Sequence, residues 1–198
     1  MPDATATWQD MMRSHADCIA DGRVGVAPRP RRPAAAVLAC SDARVPPSVI
    51  FGHAGELFVV RLAGNSATPG AIASLTYAVD HLHTDLVVVL GHTGCGAVEA
   101  ALSGHAPATL GPILTPIDEM LASCDGCSDL DAAVAGNVRH NVRRLQRDRG
   151  PLGRSIATGR VQIRGAVHDL ATGRLTELET SVPAIPTHRT PHPTRSTP

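Results

Sequence analysis

The chain has 198 residues and a formal net charge of +0, with 18 acidic residues balanced by 18 arginines and no lysine. A neutral chain offers no general electrostatic footprint for nucleic acid or for an anionic membrane surface. Hydrophobic residues make up 43% and aromatics only 2%, so an aliphatic core is expected, and each of Trp8, Phe51, Phe58 and Tyr77 needs a specific reason.

Residues 4 to 21 read as a helix, because Trp8, Met11, Met12, His15 and Ile19 recur at helical steps and Gly22 follows as a stop. The run from Ala27 to Pro33 is too rich in proline for a helix and reads as a stiff connector. Ala34 to Ala39 is a short apolar run, read as a buried parallel strand that ends in the loop CSDARVPP. Leu57 to Val60 predicts a second strand. After the loop LAGNSA, Thr68 is placed as N-cap with Pro69 at the first helical position, opening a helix to about Leu82. Asp85 to Leu90 predicts a third strand with both faces covered. Helices are expected at Ala97 to Leu102, Pro112 to Ala122 and Leu130 to Arg149. Two last strands, Val161 to His168 and Leu175 to Thr180, are joined by a turn at 171–173. Alternating strands and helices define an α/β fold with a mainly parallel β-sheet flanked by helices. The expected organisation is an N-terminal helical arm and connector (1–33), an α/β domain (34–182) and a disordered, proline-rich tail (183–198).

No apolar run reaches the ~18 residues of a membrane span, and the first residues lack the layout of a signal peptide. A cytoplasmic chain without disulfide staples is expected. Its five cysteines would be reduced, serving as ligands or as small buried hydrophobes.

Cys40 directly follows one predicted strand, while His92 and Cys95 follow another with Gly91 between. Ligands of open parallel sheets bind outside the carboxyl ends of the strands, so the fold itself brings these three residues to one edge. Two thiolates and an imidazole form a soft set suited to Zn2+, one per chain. They leave the fourth tetrahedral position open, as in catalytic sites.

The segments Cys40-Ser41-Asp42-Ala43-Arg44 and Gly91-His92-Thr93-Gly94-Cys95-Gly96 together resemble the paired signature of the β-class carbonic anhydrases. The resemblance continues through RVPPSVIFGHAGELFVVRLAGN, SLTYAVDHL and VQIRGAVHDLATGRL, and so runs from about Pro33 to Glu179. It implies zinc held by Cys40, His92 and Cys95, and reversible hydration of carbon dioxide to bicarbonate and a proton. Asp42 and Arg44 are the implied catalytic pair. Two thiolates cancel the zinc charge and weaken its acidifying effect on water, so a nearby group must help. Asp42 can orient the attacking oxygen if Arg44 holds its carboxylate off the metal with a bidentate pair. Released, Asp42 can close the site as a fourth ligand.

The resemblance further implies that Phe58 and Tyr77 line a substrate pocket across a dimer interface, with Ala63 as a small apolar pocket position. Gly96 and the turn before it would help settle the anion. A homodimer or a dimer of dimers is the implied assembly. At the position of a substrate-binding Gln in many members, this chain has Arg31, whose permanent charge favours bicarbonate over carbon dioxide. Thr76 replaces a frequent Glu, and the stretch between Phe51 and Phe58 is one residue shorter than usual. A second bicarbonate site known in some members keeps only Arg61, with Val37 and His168 at its other two positions, so that mode of regulation is not expected. The alternatives are hydrolysis of carbonyl sulfide or carbon disulfide, and a zinc-containing bicarbonate binder with weak turnover. Cys124 and Cys127 have zinc-knuckle or redox spacing without a second pair, Cys18 reads as packing, and His53 and His83 as surface histidines able to relay protons.

Overall fold

The structure is a computed structural model that describes residues 3–22, 32–52, 56–104 and 107–180. The chain divides into two compact units, residues 1–31 and 32–198. Arg31, His53, most of the connector and the tail from 181 lie outside the described residues.

The first unit contains helix α1 (Ala4–Ala20), capped by Asp3, whose carboxylate accepts from Thr5 N at 3.0 Å. None of its residues is buried, and Trp8, Met11, Met12 and Ile19 are exposed on it.

The second unit is built on a five-stranded sheet in the order β2-β1-β3-β4-β5. Strands β1 (Ala35–Ala39), β2 (Leu57–Arg61), β3 (Leu86–His92) and β4 (Gln162–His168) pair in parallel, and β5 (Leu175–Leu178) is antiparallel to β4. The mainly parallel α/β sheet is therefore as expected. Helices α2 (Pro47–Ile50), α3 (Pro69–Asp80), α4 (Gly96–Ser103), α5 (Gly111–Ala122), α6 (Leu130–Gln146) and α7 (Pro151–Ala157) complete the unit. Thr68 and Pro69 open α3 as the sequence predicts, with Thr68 Oγ1 accepting from Ala71 N.

Side chains alternate across the sheet. Ala36, Leu38, Val87 and Val89 join Leu75, Val79, Val138, Val142 and Leu152 in one core, which brings α3, α6 and α7 to that face. Val37, Ala39, Val88 and Leu90 point the other way and meet Ile50 and Phe51 beside α2. This places Phe51, an aromatic the sequence left without a role, in packing.

Boundaries differ from the sequence reading by one to three residues, and three of the differences have a clear physical cause. Strand β3 runs on through Gly91 to His92, because its pairing with β4 continues to His92 opposite His168. Helix α3 ends at Asp80, two residues early, before a turn in which His83 takes a positive φ of 58°. Helix α6 stops at Gln146 rather than Arg149. Asp148 there accepts from Gly150 N and Gly153 N, and Pro151 starts α7, which the sequence reading missed.

Helix α6 also carries buried amides that tie it to the loop after β2. Asn141 Oδ1 accepts from Ala67 N at 2.7 Å, Asn141 Nδ2 donates to Asn137 Oδ1 at 2.8 Å, and Asn137 Nδ2 donates to Gly64 O at 2.8 Å. Both side chains are fully buried. Asn141→Leu leaves the Ala67 amide without its partner and is expected to lower unfolding free energy by about 2–3 kcal/mol in urea titration.

Candidate metal centre

The parallel register decides what meets at the carboxyl edge of the sheet. Ala39 pairs with Leu90 of β3 and with Arg61 of β2, so Cys40, one residue on, comes level with the Gly91-His92 end of β3. After His92 the chain turns through Gly94, at φ 63°, and Cys95 becomes the N-cap of α4. The turn is anchored to the hairpin of β4 and β5: Thr93 N donates to His168 O at 3.0 Å, and Leu170 N donates to Thr93 Oγ1 at 3.0 Å. Glycine is required at 91, where a Cβ would lie 2.5 Å from Val138 of α6.

The potential ligand atoms of Cys40, His92 and Cys95 all lie within 4.8 Å of one another, and all three residues are buried. The two sulfurs are 3.9 Å apart. His92 Nδ1 stands 2.9 Å from Thr93 O. A carbonyl only accepts, so the imidazole proton belongs on Nδ1, and the lone pair on Nε2 faces the sulfurs. Nε2 is buried without a hydrogen-bond partner among the described residues. A buried lone pair beside two thiols, with the other ring nitrogen pinned by a carbonyl, is the donor arrangement of a metal-binding histidine.

The three groups compete for protons. The Cys40 thiol is pulled well below its ordinary value by its hydrogen bond with Cys95, against the effect of burial; backbone amides of Asp42 and Gly64 help. Cys95 moves up, because it is the partner that keeps the proton and because it is buried. Burial opposes protonation of His92, but the Cys40 sulfur, the Thr93 carbonyl and the Asp42 carboxylate together outweigh it and the net shift is upward. Two cysteine sulfurs and an imidazole nitrogen within 4.8 Å of one another are a donor set that fits a soft divalent cation such as zinc.

Beside it, Asp42 is held in a fork. Its Oδ1 accepts from Arg44 Nε at 2.9 Å and from Arg44 N at 2.9 Å, and its Oδ2 accepts from Arg44 Nη2 at 2.6 Å. Those side-chain bonds, and then the backbone bond, hold the Asp42 carboxyl well below the usual carboxylate range. Arg61 shapes the same loop from beneath: its Nε donates to Cys40 O at 2.9 Å and its Nη2 to Asp42 O at 2.5 Å. The sequence offered Arg61 only as a remnant of a second anion site, since this role depends on the β1–β2 register. Gly64, at φ 66° and packed against Ile117 and Ala97, is a further positioning residue that the sequence reading missed.

The remaining expected residues are dispersed. Ala63 opens the turn after β2 that contains Gly64, and Gly96 is the exposed first residue of α4. Phe58 pairs with Ala36, three residues back from the sheet edge, and packs with Tyr77 at 6.2 Å between ring centroids. Tyr77 stacks on His81 at 5.0 Å and is 50% exposed, so it is not a core residue of the single chain. The expectation of reduced thiols throughout is corrected: Cys124 and Cys127 are joined by a disulfide, while Cys18, Cys40 and Cys95 are free. A separation of three residues suits a ligand pair and a tight disulfide equally, which is why spacing did not decide it. Among the described residues, no helix is long and apolar enough to cross a membrane.

Comparison with known proteins agrees with this geometry. The carbonic anhydrase family model matches residues 35–175. The Mycobacterium tuberculosis protein named Carbonic anhydrase 2 is 35% identical over 162 residues, which is 78% of this chain and 78% of its own. The solved structure of a Coccomyxa β-carbonic anhydrase in complex with acetazolamide superposes with a TM-score of 0.69 at 28% identity, covering 90% of this chain and 87% of that one. A tetrameric β-carbonic anhydrase of Sordaria macrospora superposes with a TM-score of 0.64 at 26% identity, covering 88% and 93%. The α/β sheet with its Cys-His-Cys edge is that of a lyase family, and this chain belongs to the β-class carbonic anhydrases.

Proposed function

We propose that the chain is a zinc-dependent carbonic anhydrase that reversibly hydrates carbon dioxide to bicarbonate and a proton. The observation that carries this reading is the buried Cys40-His92-Cys95 cluster, in which His92 Nε2 has no hydrogen-bond partner among the described residues. Zinc bound by these three residues supplies a Lewis acid that acidifies water at neutral pH.

The chain's own groups do the rest. The Asp42 carboxylate, kept ionised by Arg44, accepts a hydrogen bond from the attacking oxygen and aims its lone pair at carbon. The Arg44 fork uses both Asp42 oxygens, which favours a carboxylate turned away from the metal. The Arg44 guanidinium and the amides around Gly96 then offer positive potential to bicarbonate as its charge develops. Phe58, Ala63 and Tyr77 are assigned to an apolar substrate wall completed by a second copy of the chain, and half-exposed Tyr77 supports that assignment. The assembly is then at least a homodimer, with residues 34–182 as the catalytic domain, 1–33 as an arm and a cytoplasmic location.

The test is metal analysis followed by stopped-flow hydration of carbon dioxide. About one zinc per chain is expected, with activity lost on chelation and regained on adding zinc back. A folded protein that holds no zinc would overturn the reading. Arg31 motivates a second arm: an inactive zinc protein rescued by Arg31→Gln would identify a bicarbonate binder instead.

A further inference from the structure

We propose that Cys124 and Cys127 form a thiol–disulfide exchange site that is reduced by dithiols while the protein remains folded. The proposal rests on the placement of the pair and is independent of the metal centre.

The sequence Cys124-Asp125-Gly126-Cys127 lies between α5 and α6, and the two sulfurs are bonded there with their Cα atoms 5.7 Å apart. Gly126, at φ 100°, lets the chain double back within two residues. The two sulfurs have unequal surroundings. Cys127 is buried, its Sγ 3.8 Å from Met120 Sδ and seated over Gly136 of α6, where a Cβ would come within 2.7 Å of it. Cys124 is only partly buried. A cleft of about 340 Å3 opens over the pair and includes Arg139, Arg143 and the acid Asp125. Among the described residues, neither guanidinium has a hydrogen bond or an ion pair. Unpartnered cations beside a cysteine pair stabilise the thiolate, which is both the attacking and the leaving species in exchange.

The chemistry balances as a two-electron transfer. A thiolate of the dithiol attacks Cys124 Sγ, the Cys124–Cys127 bond breaks, and Cys127 leaves as a thiolate that takes up a proton. The second thiol of the dithiol then displaces Cys124 from the mixed disulfide. The dithiol ends as a disulfide and the protein gains two thiols. In a reducing compartment such a bond is transient and redox-sensing rather than a permanent staple.

The test equilibrates the native protein in buffers of increasing dithiothreitol to oxidised dithiothreitol ratio, quenches with acid, and counts thiols by alkylation and mass spectrometry after denaturation. The expected count rises from three to five, given five cysteines of which three are free, in one two-electron step without denaturant. In native Cys127→Ser, the remaining Cys124 is expected to form a mixed disulfide with oxidised glutathione at least about tenfold faster than Cys127 does in Cys124→Ser. Replacing Arg139 and Arg143 together by Gln is expected to slow that capture at Cys124 several-fold. Five thiols in the air-oxidised protein would overturn the proposal. So would reduction that requires unfolding, or equal reactivity of the two cysteines. The wild-type titration decides the main point even if a variant does not fold.

Discussion

Cys95→Ser is expected to reduce bound zinc from about one per chain to a trace and to lower kcat/KM by at least about 1,000-fold. Loss of an outer-shell partner of a metal ligand already costs roughly 10- to 100-fold, and Cys95 is one of three candidate ligands in direct reach of the site. The substitution is chosen because the fold should survive it. Cys95 is the N-cap of α4 without a side-chain cap bond, and serine is among the preferred N-cap residues. Unchanged circular dichroism with lost zinc, measured by plasma emission, is the expected pair of results. Retention of stoichiometric zinc by Cys95→Ser would remove Cys95 from the ligand set.

The second large effect is expected at Asp42. Asp42→Asn keeps the shape of the side chain but loses the charge that Arg44 grips through both oxygens. Zinc content is expected to stay at the wild-type level while kcat falls about 100-fold, the lower end of what a positioned proton acceptor contributes. Arg44→Lys tests the fork separately. A lysine ammonium is a point charge and cannot reproduce two parallel bonds, so Arg44→Lys is expected to lose activity nearly as far as Arg44→Ala. Stopped-flow hydration on zinc-matched samples distinguishes these outcomes. Full activity in Asp42→Asn would show that the carboxylate has no part in the reaction.

Much of this centre was legible before the structure, and for a physical reason. Parallel strands expose their carboxyl ends on one edge, so a Cys after one apolar run and a His-x-x-Cys after another had to approach each other. What the sequence concealed depended on register or on competing signals. Gly91 and His92 do not look like strand residues, yet ladder pairing with β4 carries β3 through both. The helical pattern of α6 runs on into Arg147 and Arg149, while the break is set by Asp148 bonding back to Gly150 and Gly153. Arg61, which falls just past the strand read from the sequence, is carried into β2, and the register places it under the backbone of Cys40 and Asp42. Asn137 and Asn141 drew no reading from the sequence, because only the fold shows that backbone groups of the loop they brace take up their amides inside the protein.

The register of β1 against β3 also dictates when a metal can enter. In modules whose ligands sit on one local hairpin, the ion organises the chain and folding waits for it. Here Cys40 and His92 meet only after β1 and β3 have paired across an intervening strand and two helices, a non-local contact whose loop-closure entropy has to be overcome first. On the proposed reading, the metal-free chain therefore has to reach its native topology unaided, and zinc would be captured late, by a pocket whose histidine is already oriented. Refolding rates of the β-sheet should consequently be the same with and without zinc, while the unfolding rate alone slows when the ion is present.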